Sequence, residues 1–243
     1  MIMIEKNTIE FIHNESCFYS CWLLHKKGVL FEKEFNEGYF SKQELLYYKD
    51  IKNQKRKEEF FYGRYLAKLA ILELTKADSH NLNEISIIKN IFGYPVIQQN
   101  FAGLEVNISH KENFIAAIVY SNQIMMGIDI ENLKEVRKSL QLVADEQEKL
   151  LLLPKMEEEF FYKLLWTCKE ALGKCLKVGI GTGIQSYILK KLEEKENGYW
   201  TEFLNFPQFK AFSKKWNDSI YTVVFPKSLD IHKWNIMEEE YEI

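Results

Sequence analysis

One order of patterns occurs twice along this chain, and it leaves few folds open: helical stretches first, then a run of short strand patterns. In the first half, Phe61, Tyr65, Leu69 and Leu72 fall on one stripe of a helix expected over about 58–76. Upstream of it, Ser41 and Glu44 have the spacing of a capping box, in which the hydroxyl holds a first-turn amide and the carboxylate reaches back. Strand patterns are expected at 84–90, 104–109, 113–120 and 124–131, with two earlier ones at 16–24 and 29–35. In the second half, helices are expected at 139–153 and 157–177, separated by Pro154, with Phe161, Leu165, Cys168, Leu172 and Cys175 forming an apolar stripe. Strands follow at 184–189, 199–206 and 219–225. Helices grouped ahead of strands, without regular alternation, predict an α+β class with an antiparallel sheet in each half. The polar turn at 121–123 is the expected seam, giving an N-terminal subdomain 1–121 and a C-terminal subdomain 122–243. The acidic stretch 238–240 reads as a frayed or surface tail.

Composition supports long elements and excludes several classes. Gly numbers 11 and Pro 4 in 243 residues, about half the usual share of roughly 12%. Hydrophobic residues at 47% and aromatics at 14% rule out whole-chain disorder. Lys and Arg number 32 against 35 Asp and Glu, a formal net charge of −3, which argues against a nucleic-acid partner. No window approaches 18 consecutive apolar residues, so no membrane partner is expected. Glu5 and Lys6 interrupt the first apolar residues before a secretory signal could form. Cys17, Cys21, Cys168 and Cys175 lack zinc-ligand spacing; they read as free thiols in a reducing, cytoplasmic setting.

Four segments could carry chemistry. In Gly127-Ile128-Asp129-Ile130-Glu131 the period-two alternation sets Asp129 and Glu131 on one strand face, about 7 Å apart at ~3.3 Å per residue. Such a pair suits a hard divalent cation, and it equally suits a solvated face with two exposed acids. In Trp166-Thr167-Cys168-Lys169-Glu170-Ala171-Leu172-Gly173-Lys174, the residues Trp166, Glu170 and Lys174 lie on successive turns of one helix face. Glu170 and Lys174 are also ordered as an ordinary surface ion pair. Asn107-Ile108-Ser109-His110 puts polar groups where a strand pattern breaks, and Ser109 and His110 diverge if the strand continues. Lys49, Lys52, Lys55, Arg56 and Lys57 form a basic run before the first long helix. The Gly179, Gly181, Gly183 run lacks the Lys-Ser/Thr of a phosphate loop and reads as a turn after a helix.

Taken in order, Gly93-Tyr94-Pro95, Asn107-Ile108-Ser109-His110, Gly127-Ile128-Asp129-Ile130-Glu131 and Trp166 to Lys174 resemble the 4′-phosphopantetheinyl transferase superfamily, over about 49–183. The length and two-half plan resemble its monomeric surfactin-synthetase-type branch. The resemblance implies a pseudo-twofold α+β fold with coenzyme A between the halves. It implies a Mg²⁺-dependent transfer of the 4′-phosphopantetheine arm to a serine of an apo acyl or peptidyl carrier protein, releasing adenosine 3′,5′-bisphosphate. By position, Asp129, Glu131 and Glu170 would hold the metal. Lys174 would neutralise phosphate charge, and Glu170 or a metal-bound water would take the serine proton. Asn107, Ser109 and His110 would line the nucleotide and phosphate site, with Arg56 and Arg64 as candidates for the 3′-phosphate. The family pattern has Gly-Lys-Pro where this chain has Tyr94, so a lysine near the adenine is missing.

Two other readings belong beside it. A non-catalytic coenzyme A or carrier-protein binding module could share the fold, although such a module has no need of three mutually repelling acids. A metal-dependent nuclease can use an acid with a Glu-x-Lys pair, but here Lys169 precedes Glu170 and the chain is not basic.

Overall fold

The structure is a computed structural model, and it describes residues 2–28, 36–77, 82–98, 101, 103–135, 138–152, 156–179, 183–195 and 197–241. The strand expected at 29–35, Pro154 and Gly181 lie outside the described residues. The chain divides into two compact units, one of residues 1–124 with 231–243, the other of residues 125–230.

The first unit is built on a five-stranded sheet. Its strands are β1 (Ile2–His13), β2 (Ser16–Lys26), β5 (Leu104–Lys111), β6 (Phe114–Ser121) and β12 (Asp230–Tyr241), in the order β12-β1-β2-β6-β5. The β1–β2, β2–β6 and β6–β5 pairs are antiparallel. A separate hairpin pairs β3 (Ser86–Lys89) with β4 (Pro95–Gln98). Two helices complete the unit, α1 (Lys42–Asp50) and α2 (Gln54–Thr75). α2 packs Phe61, Tyr65, Leu66 and Ala70 against Ile4, Cys21, Leu23, Ile115 and Ala117 of the sheet, while Leu69 and Leu72 sit at the margin of that core. Asn53 caps α2 by accepting from the Arg56 amide, so the helix begins four residues earlier than the apolar stripe alone indicates.

The second unit repeats the plan. Its sheet runs β7-β11-β10-β9-β8, from β7 (Gly127–Asn132), β8 (Leu189–Lys195), β9 (Gly198–Phe203), β10 (Phe209–Trp216) and β11 (Ser219–Pro226). A short α3 (Glu146–Lys149) precedes the long α4 (Glu158–Cys175). All five residues of the predicted α4 stripe are buried, packed on Ala211, Ile220 and Val224. The fold is therefore α+β, with helices on antiparallel sheets in both units.

Four expectations need correction. The helix expected over 139–153 is broken into a 3₁₀ turn (Lys138–Val143) and α3, because Asp145 adopts an extended backbone and caps a new helix instead of continuing the old one. The strand expected at 184–189 is a 3₁₀ turn (Ile184–Ser186) followed by β8, which begins at Leu189. β1, β4 and β10 were not expected at all. The acidic tail is the end of strand β12, whose Glu239 pairs with buried Lys6 of β1 at 2.6 Å. Because β12 lies beside β1, residues 231–243 group with the N-terminal unit, and the seam falls at 124–125. No helix among the described residues is long and apolar enough to cross a membrane.

Candidate functional site

In β7 the predicted alternation is realised, but the carboxylates face inward. Asp129 and Glu131 pair with Thr222 and Ile220 of β11, and those partners face α4. Side chains opposite one another in a ladder share a face, so both acids point toward the helix and are about 95% buried. The reading of two solvated acids is thereby removed. Lys174, near the end of α4, reaches across and donates to Asp129 Oδ1 at 2.7 Å. Glu170 lies one turn earlier on the same helix, half-buried. Lys174 is thus engaged with the strand acid across the helix–sheet gap, a contact that the sequence alone did not offer.

Close packing of β7 and α4 depends on Gly127. A Cβ there would collide with the Ala171 carbonyl oxygen and lie 2.6 Å from the Cys175 nitrogen. Only glycine lets the strand come near enough for Asp129 to meet Lys174. Gly173 plays the same part on the other side, since a Cβ there would press on the Gly179 carbonyl at 2.6 Å. The Gly179 amide caps the helix by donating to the Gly173 carbonyl, and Tyr187 donates to the Gly179 carbonyl at 2.8 Å.

Sequence reasoning passed over the role of Lys169. It is fully buried, and its ammonium donates to Glu148 Oε2 at 2.7 Å and to the Val143 carbonyl at 2.8 Å. Glu148 is the third residue of the α3 capping box, and its other oxygen accepts from the Leu189 amide at 2.8 Å. One carboxylate therefore ties α3, α4 and the start of β8 together. The signal was present as Asp145 followed three residues later by Glu148.

A cavity of about 250 Å³ in the N-terminal unit gathers Arg56, Arg64 and His110 with Glu59, Lys89, Gly93 and Pro95. Arg64 is almost fully buried. Its Nε donates to the Ile87 carbonyl at 2.7 Å, and its guanidinium lies over the Phe60 ring. Burial pulls its pKa down to about 10, with Glu44 opposing the shift. Arg56 is exposed in the first turn of α2, and His110 faces Glu59 at 3.5 Å. Strand β5 continues through this segment, so Asn107 and Ser109 point to the opposite face from His110 and are buried there. The structure thus brings three of the predicted anion-site residues into one cavity and leaves Asn107 and Ser109 apart from it. Tyr94 stands in the β3–β4 turn with its ring parallel to that of Phe92, at 6.3 Å between centroids.

Among the described residues, no three His, Cys, Asp or Glu side chains converge tightly enough to hold a metal by themselves. The donor set at β7 is nonetheless two buried carboxylates of hard oxygen. That fits Mg²⁺, which commonly takes one or two carboxylates and completes its shell from water and substrate phosphate.

By sequence comparison the chain belongs to the 4′-phosphopantetheinyl transferase superfamily, and its α+β fold is consistent with that class. A model of that superfamily matches residues 125–224, nearly the whole second unit. Among relatives, the chain is 36% identical over 91 residues to a holo-[acyl-carrier-protein] synthase of Streptococcus agalactiae, spanning 36% of this chain and 76% of that protein. It is 30% identical over 105 residues to 4′-phosphopantetheinyl transferase psf-1 of Bacillus pumilus, covering 42% of this chain and 44% of that one. It is 35% identical over 113 residues to 4′-phosphopantetheinyl transferase HetI of Nostoc sp., covering 43% of each. The matched stretch is thus under half the length of these last two relatives.

Proposed function

We propose that this protein transfers the 4′-phosphopantetheine arm of coenzyme A to a serine of an acyl or peptidyl carrier protein, with Mg²⁺, releasing adenosine 3′,5′-bisphosphate. The observation that carries the proposal is the inward-facing Asp129 and Glu131 pair beneath α4, with Lys174 at 2.7 Å from Asp129, inside the stretch that matches the superfamily. A binding-only module has no use for two buried carboxylates on one strand face, which repel unless a cation lies near them.

On this reading Asp129, Glu131 and Glu170 would hold Mg²⁺, which when bound would supply charge neutralisation at the pyrophosphate. Lys174 is held by Asp129 where it can serve a phosphate oxygen once substrate competes for it. Glu170, the more exposed acid, takes the proton from the carrier serine as its oxygen attacks the β-phosphorus. The cationic groups of Arg56 and Arg64, with His110, take the 3′-phosphate in the cavity of the N-terminal unit. Asn107 and Ser109 would act from the other face of β5. Displacement at phosphorus asks mainly for charge neutralisation and placement, and these residues offer both. The two-unit plan suits the surfactin-synthetase-type branch, acting as a cytoplasmic monomer. The free, buried thiols of Cys21, Cys168 and Cys175 suit a reducing compartment.

The test is the intact mass of an apo carrier protein after incubation with this protein, coenzyme A and Mg²⁺. A gain of one phosphopantetheine, abolished by EDTA, is the expected result. No gain across a panel of carriers, with coenzyme A still bound, would replace the transferase by the binding module.

A further inference from the structure

Four hydroxyl and thiol groups run in a line through the interior of the second unit. Thr167 of α4 donates to the Leu164 carbonyl at 3.0 Å. Thr222 of β11 donates to Thr167 Oγ1 at 2.8 Å, Ser213 of β10 lies 2.8 Å from Thr222 Oγ1, and Cys168 Sγ lies 3.5 Å from Ser213. Thr167, Ser213, Thr222 and Cys168 are all fully buried. A hydroxyl has one proton to give. Thr167 gives its proton to Leu164, so it must accept from Thr222, and Thr222 must then accept from Ser213. The Thr222–Thr167 bond can run in one direction only, from the sheet into the helix.

The line meets the candidate site at both ends of one bond. Thr222 is the ladder partner of Asp129, and Thr167 precedes Glu170 by three residues on α4. The Thr222–Thr167 bond therefore joins the strand position beside Asp129 to the helical turn beneath Glu170. Apolar packing elsewhere along α4 resists separation from the sheet but has no directional preference, and it tolerates small slides. A buried directional bond does not, because a slide leaves a desolvated donor without an acceptor.

We infer that Thr167 and Thr222 are positioning residues: their hydrogen bond sets the register of α4 over β7 and β11, and with it the separation of Glu170 from Asp129 and Glu131. The inference rests on the metal-holding role proposed above for those three acids.

The test is Mn²⁺ affinity of the full chain with coenzyme A present, read from the electron paramagnetic resonance signal of free Mn²⁺, alongside a urea midpoint for each variant. Thr222→Val removes the bond at nearly constant shape and is expected to weaken Mn²⁺ binding about 10–100-fold, the usual range for groups supporting a metal ligand. Thr222→Ser should restore it. Ser213→Ala disturbs the same interior but leaves the Thr222–Thr167 bond in place, and should keep wild-type affinity even where its urea midpoint falls. Thr167→Val, read the same way, replaces Thr222→Val if the latter does not fold. Wild-type Mn²⁺ affinity in folded Thr222→Val or Thr167→Val would overturn the inference, as would a loss in Ser213→Ala as large as theirs. If the wild-type chain takes up no Mn²⁺ at all, the metal-holding role itself falls, and the positioning role with it.

Discussion

Glu148 and Lys169 form a buried ion pair at 2.7 Å that repeats, partner for partner, the 2.6 Å pair of Glu44 and Lys68 in the other unit. In both, the carboxylate belongs to a capping box, one oxygen takes the lysine and the cap amide, and the other takes a strand amide, from Leu189 or from Ile87. In both, the lysine also donates to the carbonyl five residues before the acid, Val143 or Tyr39. The two units share one polar framework. Aligned on these lysines, Leu69 stands where the second unit has Glu170, and Glu73 where it has Lys174. The acid that Glu170 supplies in the second unit has an apolar side chain, Leu69, in its place in the first.

Removing one partner of such a pair strands a charge in the interior. Lys169→Met is expected to cost about 3–5 kcal/mol, and adding Glu148→Gln should recover part of that loss. Urea denaturation of the two variants, followed by far-UV circular dichroism, checks the order. Equal stability of Lys169→Met and wild type would show that the pair contributes nothing.

Gly127→Ala should push β7 away from α4, because the added carbon meets helix backbone that cannot swing aside. The expected destabilisation is about 1–3 kcal/mol, with activity falling more steeply than stability. Thermal melts and turnover on the same preparation separate the two effects.

Asp129→Asn and Glu170→Gln keep shape while removing charge. Each should lower phosphopantetheine transfer by at least about 10²-fold and leave the circular dichroism spectrum unchanged. Turnover within a factor of two of wild type in either variant would sink the site assignment.

Arg56 is exposed beside the N-terminal cavity, so it can be cut back without disturbing the core. Arg56→Ala is expected to raise KM for coenzyme A about 10-fold, the lower range for a charge-assisted hydrogen bond, while KM for dephospho-coenzyme A stays put. Equal effects on both substrates would move the 3′-phosphate elsewhere.

Acid should loosen β12. Burial alone would push Glu239 up, but hydrogen bonds from Lys6 and Tyr241 hold its carboxyl below the ordinary 4.5. Glu73 behaves alike, burial being outweighed by Lys76 and Lys6. A depressed carboxylate gives its full stabilisation above the ordinary value and loses it as pH falls through the folded one. Hydrogen exchange of β12 amides should therefore rise relative to that of β6 amides below pH 4.5. An unchanged ratio of β12 to β6 exchange would contradict this.

Sequence alone determined the family and the fold class. The α4 stripe, the β7 alternation and the Ser41 capping box were legible because each is set by local period or by a side chain reaching its own backbone. The order of motifs named the family. What only the tertiary structure decided was direction and partnership. That Asp129 and Glu131 share the face that α4 covers is decided by the packing, and the period of two is the same whichever face the helix takes. Lys174 stands one turn from Glu170 by sequence, and only the fold adds its contact with Asp129 across 45 residues of chain. Lys169 and Glu148, the end of β12, and the bond from Thr222 to Thr167 were hidden for the same reason. Each is a polar or charged contact between distant segments, and such a contact has no period for a sequence to display.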